Sequence, residues 1–209
     1  MRRQSAIDVS ELPGLAFDSQ APTWWGNLLM MLIETMTVAL LIASYFYTAQ
    51  NYEQWPPPSV HRMPPIHDPI PDPTIGTWLI ALLTIATIPM IWADKGAHRV
   101  QKFPVLVGLS IATAAGVAAL VLRFYEFSSL KFRWDENAYA SIVWALLVLH
   151  LLYIILEVGE SAINILWVAL YGLDEKLAVD VTLSTEDWYW TVAIAIVIYV
   201  VIYWAPYWM

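Results

Sequence analysis

Two long apolar stretches of the sequence each carry a row of polar side chains suited to acid–base chemistry. In the first stretch, Asn27, Glu34, Thr37, Ser44 and Thr48 follow one another at spacings of 7, 3, 7 and 4. Residues three, four or seven positions apart share one face of a helix. A carboxyl group in such a row can exchange a proton, or it can act as a hydrogen-bonding group that joins neighbouring helices.

A second row follows the same rule, with His150, Tyr153, Glu157, Glu160 and Asn164 at spacings of 3, 4, 3 and 4. Glu34 and His150 each lie about ten residues into their apolar stretch. We therefore expect them at similar depth, where a carboxyl and an imidazole can pair, either ionised or as a neutral hydrogen bond. The alternative for each residue is a purely structural hydrogen bond between helices.

The polar rows are expected to be sheltered, because a charged side chain at the centre of a membrane helix costs roughly 2.5–3.5 kcal/mol. They should face protein, water or lipid headgroups. We therefore expect Asn27, Glu34, His150, Tyr153 and Glu157 to face away from the lipid tails.

The sequence predicts neither a catalytic residue nor a bound metal or cofactor. There is no Cys, which excludes disulfides, iron–sulfur clusters and thiolate metal sites. Haem held by two His would need a partner for His150 at mid-membrane depth, but the other His residues lie in connections or at a helix edge. The segment HRMPPIHDPIPD, with His61, His67, Asp68 and Asp72, is Pro-rich and irregular. It favours a solvated, partner-contacting loop over a metal site.

The overall composition is that of an integral membrane protein. Of the 209 residues, 59% are hydrophobic and only 13% are charged, whereas soluble domains carry about 25% charged residues. Twelve Trp and eleven Tyr suit the two membrane interfaces. The net charge of −8 argues against a nucleic-acid partner, which requires a basic surface.

Five segments are long and apolar enough to span, and each must be helical because only a helix satisfies its own backbone in lipid. We predict an all-α integral membrane protein, a five-transmembrane-helix bundle, with residues 1–23 as a cytoplasmic N-terminal segment and residues 24–209 as the membrane domain. No signal peptide is expected. The predicted spans are about 24–47, 75–92, 104–122, 139–171 and 188–204.

Three finer expectations concern these spans. The fourth is too long for a simple crossing, so its last turns should project into water or bend. Ser184 is expected to cap the fifth helix after an acidic connection at 173–187. The small residues of GLSIATAAGVAAL in the third span predict close helix packing.

The Lys and Arg count favours a cytoplasmic N-terminus. Six basic residues fall on that side in the proposed topology and four on the other, with Arg123 among the four, in a mixed-charge connection at 123–138. The dense basic turn at 95–102 decides the orientation.

The polar features, in their order along the sequence, resemble those of subunit III of the haem–copper oxidases. The stretch IETMTVALLIASYFY places Glu34 where that family has a mid-membrane Glu followed by an aromatic-rich end. RFYEF, with Glu126, and then NAYASIVWALLVLH resemble the family's next-to-last pair of helices. In HLLYIILEVG, His150 matches the first His of the family's His-x-x-His element, while Tyr153 replaces the second. The family's last helix opens with Tyr-Trp-His-Phe, whereas DWYW, ending at Trp190, lacks that His.

The resemblance implies a short form of the family, equivalent to its last five helices. It implies a non-catalytic subunit of a respiratory terminal oxidase that packs on the catalytic subunit I and on other oxidase subunits. Haem and copper would lie in those partners. The chain would hold structural phospholipid in a cleft, which the polar rows with Asn27, Glu34, His150, Tyr153 and Glu157 would line. It would support proton uptake and sustained turnover in a bacterial cytoplasmic (inner) membrane. The alternatives are a nitric-oxide-reductase-associated relative of the same fold, a small proton or solute transporter, and a scaffold that only packs.

Overall fold

The computed structural model describes residues 21–58 and 70–209. Within these residues, five helices are long and apolar enough to cross a membrane, as predicted. They are α1 (Pro22–Ala49), α2 (Thr74–Ala97), α3 (Lys102–Ser129), α4 (Ala138–Tyr171) and α5 (Glu175–Tyr199). A π-helical turn, Val200–Trp204, and a short 3₁₀ turn, Ala205–Tyr207, continue α5.

Successive helices run in alternating directions, as contacts between their ends show. Lys102 at the start of α3 donates to the carbonyl of Ala169 near the end of α4. Thr77 near the start of α2 contacts Tyr199 at the end of α5. We call the end of the bundle at which α1 and α5 begin the first end, and the other the second end.

The small residues of α3 allow close helix contacts, as predicted. A Cβ placed on Gly108 would lie 2.5 Å from the carbonyl oxygen of Pro89 in α2. A Cβ on Gly116 would lie 2.5 Å from Cγ2 of Val158 in α4. Only glycine therefore permits these approaches, which bury Val105, Leu109 and Ala112 completely.

Gly108→Ala is expected to destabilise the bundle by about 1–3 kcal/mol, because the neighbour that must move is backbone rather than a flexible side chain. Gly159→Ala is the matched control, since no atom lies within 4 Å of the added Cβ. It should be neutral or slightly stabilising, because Ala is the better helix former. Unfolding in mixed detergent micelles measures both; equal stability of the two variants would contradict the close α2–α3 contact.

The fifth helix differs from its prediction. It begins at Glu175, with Asp174 as the N-cap accepting from Leu177 N–H at 2.8 Å, rather than at a Ser184 cap. Ser184 lies inside the helix and is fully buried. The acidic stretch is helical because its polar side chains face the polar row of α4 and the end of α2. Ser184 contacts Glu157, and Thr185 contacts Asp94.

The fourth helix also differs in part from its prediction. It is one continuous helix of 34 residues, about 50 Å long, with no break. Its N-cap is Asn137, whose side chain accepts from Ala140 N–H at 2.9 Å. Because α5 begins thirteen residues before the predicted 188, its first turns run beside the last turns of α4. The extra length of α4 is therefore covered on one side by protein.

Candidate functional site

A buried cluster of charged and polar side chains joins α3, α4 and the end of α5 near the second end. Arg123 Nη1 donates to Glu126 Oε2 at 2.6 Å, and both residues are almost fully buried, at 4% and 1% exposure. The hydroxyl of Tyr203 donates to the other oxygen, Glu126 Oε1, at 2.5 Å. We call Arg123, Glu126, His150 and Tyr203 the arginine cluster.

His150 completes this cluster and has a defined tautomer. Arg123 Nη2 lies 2.7 Å from His150 Nδ1. Because a guanidinium can only donate, Nδ1 must accept, and the ring proton must reside on Nε2. Nε2–H then donates to the backbone carbonyl of Thr191 at 3.2 Å. His150 thus links Arg123 on α3 to α5 as a neutral imidazole.

The predicted pairing of Glu34 with His150 is therefore wrong. Both ring nitrogens of His150 are engaged by Arg123 and Thr191, and its side chain is fully buried. Equal depth in the membrane does not ensure contact, because a step of three residues along a helix changes the direction of the side chain around the helix axis by about 60°. His150 faces α3 and α5, whereas Tyr153, one such step further along α4, faces α1.

Glu34 lies with a different set of residues. Tyr153 OH donates to the backbone carbonyl of Glu34 at 3.4 Å. The two residues line a small, water-sized space of about 30 Å³, which is large enough to hold water. Glu157, Glu160 and Asp187 also line it. This space therefore brings together four carboxyl groups from α1, α4 and α5.

Glu157 is the most deeply buried of these carboxyl groups, at 4% exposure. Its Oε1 accepts from Ser161 Oγ at 3.3 Å and from Ser184 Oγ at 3.4 Å. The hydroxyl groups solvate the carboxyl where water has little access. The predicted row on α4 does lie inside the bundle: His150, Tyr153, Glu157 and Asn164 are all buried. Glu160, at the edge of the row, is exposed.

The residues of the predicted row on α1 lie in two different environments. Asn27 and Glu34 are half-buried, and Asn27 Nδ2 donates to the carbonyl of Leu183 at 3.4 Å. Thr37 and Ser44 are exposed, and each hydroxyl donates back to a carbonyl of its own helix, at 3.0 and 2.8 Å. Their exposure follows from helix geometry. Each seven-residue step rotates the side-chain direction around the axis of α1 by about 20°, and the three-residue step from Glu34 to Thr37 rotates it by about 60° more in the same sense. Because the hydroxyl groups of Thr37 and Ser44 are bonded within α1, these side chains do not need to be buried in a cleft.

A cavity of about 830 Å³ opens between α1, α4 and α5 at the first end. Asn27, Glu160, Asn164 and Asp187 lie along it, and Trp167 lies at its rim. It shares Met30, Glu160 and Asp187 with the water-sized space beside Glu34. The two spaces are therefore adjacent, and Asn27, Glu34, Tyr153 and Glu157 of the predicted cleft lie along them. His150 does not.

Sequence reasoning did not find most of the arginine cluster. Arg123 and Glu126 were placed in a mixed-charge connection, but α3 continues to Ser129 and encloses both. The available signal was the spacing of three between Arg123 and Glu126, which puts opposite charges on one helix face. Tyr203 gave no signal, since it is one of many aromatic residues in its segment.

The described residues contain no group of three or more His, Asp or Glu side chains arranged to hold a metal ion. Of the His- and Asp-containing loop, His61, His67 and Asp68 lie outside the described residues. Asp72 Oδ1 accepts from the backbone and the hydroxyl of Thr74, at 2.8 and 2.6 Å. Asp72 therefore helps to begin α2.

Comparison with known proteins gives one relevant similarity. No family model matches the chain. The chain is 22% identical to the cytochrome c oxidase subunit 3 of Raphicerus campestris over 152 residues, which are 72% of this chain and 55% of that protein. The chain thus spans about half the length of the curated relative it matches. This similarity supports the resemblance to the subunit III family.

Proposed function

We propose that the chain is a non-catalytic subunit of a respiratory haem–copper terminal oxidase, of the subunit III type and of a short, five-helix form. The similarity to cytochrome c oxidase subunit 3 carries the proposal. The chemistry of the described residues agrees with it. In the arginine cluster, buried polar groups bond to one another between helices, which suits a structural role.

In this proposal, the chain packs on the catalytic subunit in a bacterial inner membrane, with its N-terminus in the cytoplasm. It holds lipid and supports proton uptake and sustained turnover, while haem and copper belong to the partner subunits. The cavity at the first end supplies room for lipid. The four carboxyl groups around the water-sized space supply groups that can exchange protons near the same end.

The alternative of a proton transporter is less well supported. A proton relay through mid-membrane Glu34 and His150 would have to pass the arginine cluster. Both nitrogens of His150 are engaged there, and the buried guanidinium of Arg123 repels a passing positive charge. The nitric-oxide-reductase-associated alternative differs from the proposal only in the catalytic subunit with which the chain would associate.

Isolation from native membranes tests the proposal. The tagged full-length chain, extracted in mild detergent, should co-purify with a haem–copper catalytic subunit identified by mass spectrometry. Co-purification with a nitric oxide reductase subunit would favour the related alternative. A stable monomer, isolated from membranes in which the oxidase is intact and abundant, would contradict both.

A further inference from the structure

The arginine cluster contains one buried polar atom that no protein group satisfies. Arg123 is only 4% exposed, and its Nη1 and Nη2 atoms are bonded to Glu126 and His150. Its Nε donates to no acceptor among the residues that the structure describes. A guanidinium can only donate, and a buried charged donor without an acceptor is strongly unfavourable. The Nε–H group therefore requires an acceptor from outside these residues.

A small space beside the cluster can hold such an acceptor. It lies between α2, α3, α4 and α5 near the second end, and its volume is about 10 Å³, close to the least that one water molecule needs. Arg123, Glu126, Tyr199 and Tyr203 line it, and the other residues that line it are apolar or glycine. Four polar side chains thus meet at a space of the size of a single water.

The size and charge of this space decide which class of molecule it can bind. The guanidinium of Arg123 and the carboxylate of Glu126 neutralise each other at 2.6 Å, so an added ion would bring an unpaired charge into a buried site. An organic ligand needs a cavity of about 300 Å³ or more. Water is neutral, fits the space, and both accepts and donates hydrogen bonds.

We infer that this space is a binding site for a single internal water molecule, which completes the arginine cluster. The water accepts from Arg123 Nε and donates to Glu126 and to the hydroxyl of Tyr199, which gives the three hydrogen bonds typical of a buried water. Each oxygen of Glu126 has one bond within the cluster and can accept another.

The water also connects the cluster to a further helix. The hydroxyl of Tyr199 lies 2.7 Å from Thr77 Oγ1 on α2, whereas the bonds within the arginine cluster join only α3, α4 and the end of α5. With the water in place, one hydrogen-bonded network reaches four of the five helices. The inference concerns the interior of this chain and does not depend on the proposed function.

A crystallographic or cryo-EM map of the full-length chain, at a resolution that shows ordered water, tests the inference in the wild type. We expect one water peak within about 2.7–3.2 Å of Arg123 Nε, and within the same distance of a Glu126 oxygen. A map that shows other buried waters but no peak at Nε would overturn the inference. So would a protein atom that accepts from Nε in place of the water.

A substitution that fills the space gives a second test. A Cβ on Gly76, which lines the space, would lie 3.1 Å from Glu126 Oε1, so Gly76→Ala should remove the water peak. Gly26→Ala is the matched control, since no atom lies within 4 Å of its added Cβ, and it should retain the peak. A peak that persists unchanged in Gly76→Ala would overturn the assignment of the water to this space.

Removal of one partner tests the hydrogen bond to Tyr199 without crowding the site. Tyr199→Phe removes a single hydroxyl, so the water peak should weaken or be lost, because only two of its partners remain. Tyr47→Phe is the control, since Tyr47 lies at the same end and is 72% exposed, and the peak should be unchanged. A peak of full strength in Tyr199→Phe would overturn the proposed bond to Tyr199 and the connection to α2.

Discussion

Replacing Arg123 by Leu is expected to destabilise the bundle by about 3–5 kcal/mol, because it leaves the Glu126 carboxylate buried without its cation. Glu126 is 1% exposed and lies 2.6 Å from the lost guanidinium. His150 Nδ1 loses its donor in the same step. Unfolding of the purified chain in mixed detergent micelles, followed by helical circular dichroism, measures the loss.

Two further variants separate the cost of an unpaired charge from the worth of the pair. The double variant Arg123→Leu with Glu126→Leu should be more stable than either single variant, because no charge remains buried. Arg133→Leu is the control, since the Arg133–Asp135 pair, with N–O distance 3.1 Å, is exposed at 66% and 42%. It should cost less than about 1 kcal/mol. A small loss in Arg123→Leu, comparable to that control, would contradict the buried cluster.

His150→Leu should give the second large effect, a loss of about 2–4 kcal/mol. It leaves Arg123 Nη2 buried without its acceptor, at a cost of about 1–3 kcal/mol, and it removes the additional hydrogen bond to the Thr191 carbonyl, worth about 1 kcal/mol. His150→Gln should recover part of the loss, because an amide can accept with its oxygen and donate with its nitrogen.

Glu34→Gln serves as the comparison for His150. Glu34 is only half-buried and makes no contact with the imidazole, so the two substitutions should be additive within about 0.5 kcal/mol. The same unfolding measurement gives the coupling. Coupling well above that value would restore the Glu34–His150 pair that the sequence predicted.

Much of the fold could be predicted because lipid imposes simple rules. Five apolar runs gave five helices, and the small residues of α3 identified a close helix contact at Gly108. The buried row on α4 followed from the cost of placing Glu157 against lipid. These features depend on local pattern and on the solvent, both of which the sequence displays directly.

The remainder depended on contacts between distant residues. The start of α5 was missed because an acidic stretch is typical of a connection, while here Ser184 and Thr185 find partners on α4 and α2. Arg123 and Glu126 were missed because their charges ended the apolar run. Their partners His150 and Tyr203 are 27 and 77 residues away. The position of His150 in its apolar stretch predicted its depth in the membrane, but it did not predict the direction in which the side chain leaves α4.

Removing this chain from the proposed oxidase complex tests the proposed function most directly. Oxygen consumption is followed over many turnovers in membranes from a deletion strain and in the same strain carrying the gene. We expect unchanged haem content and a nearly unchanged initial rate without the chain. Activity should decay faster in the deletion strain and regain its lifetime when the chain is restored. Loss of haem or of the first turnovers, or identical lifetimes with and without the chain, would contradict it.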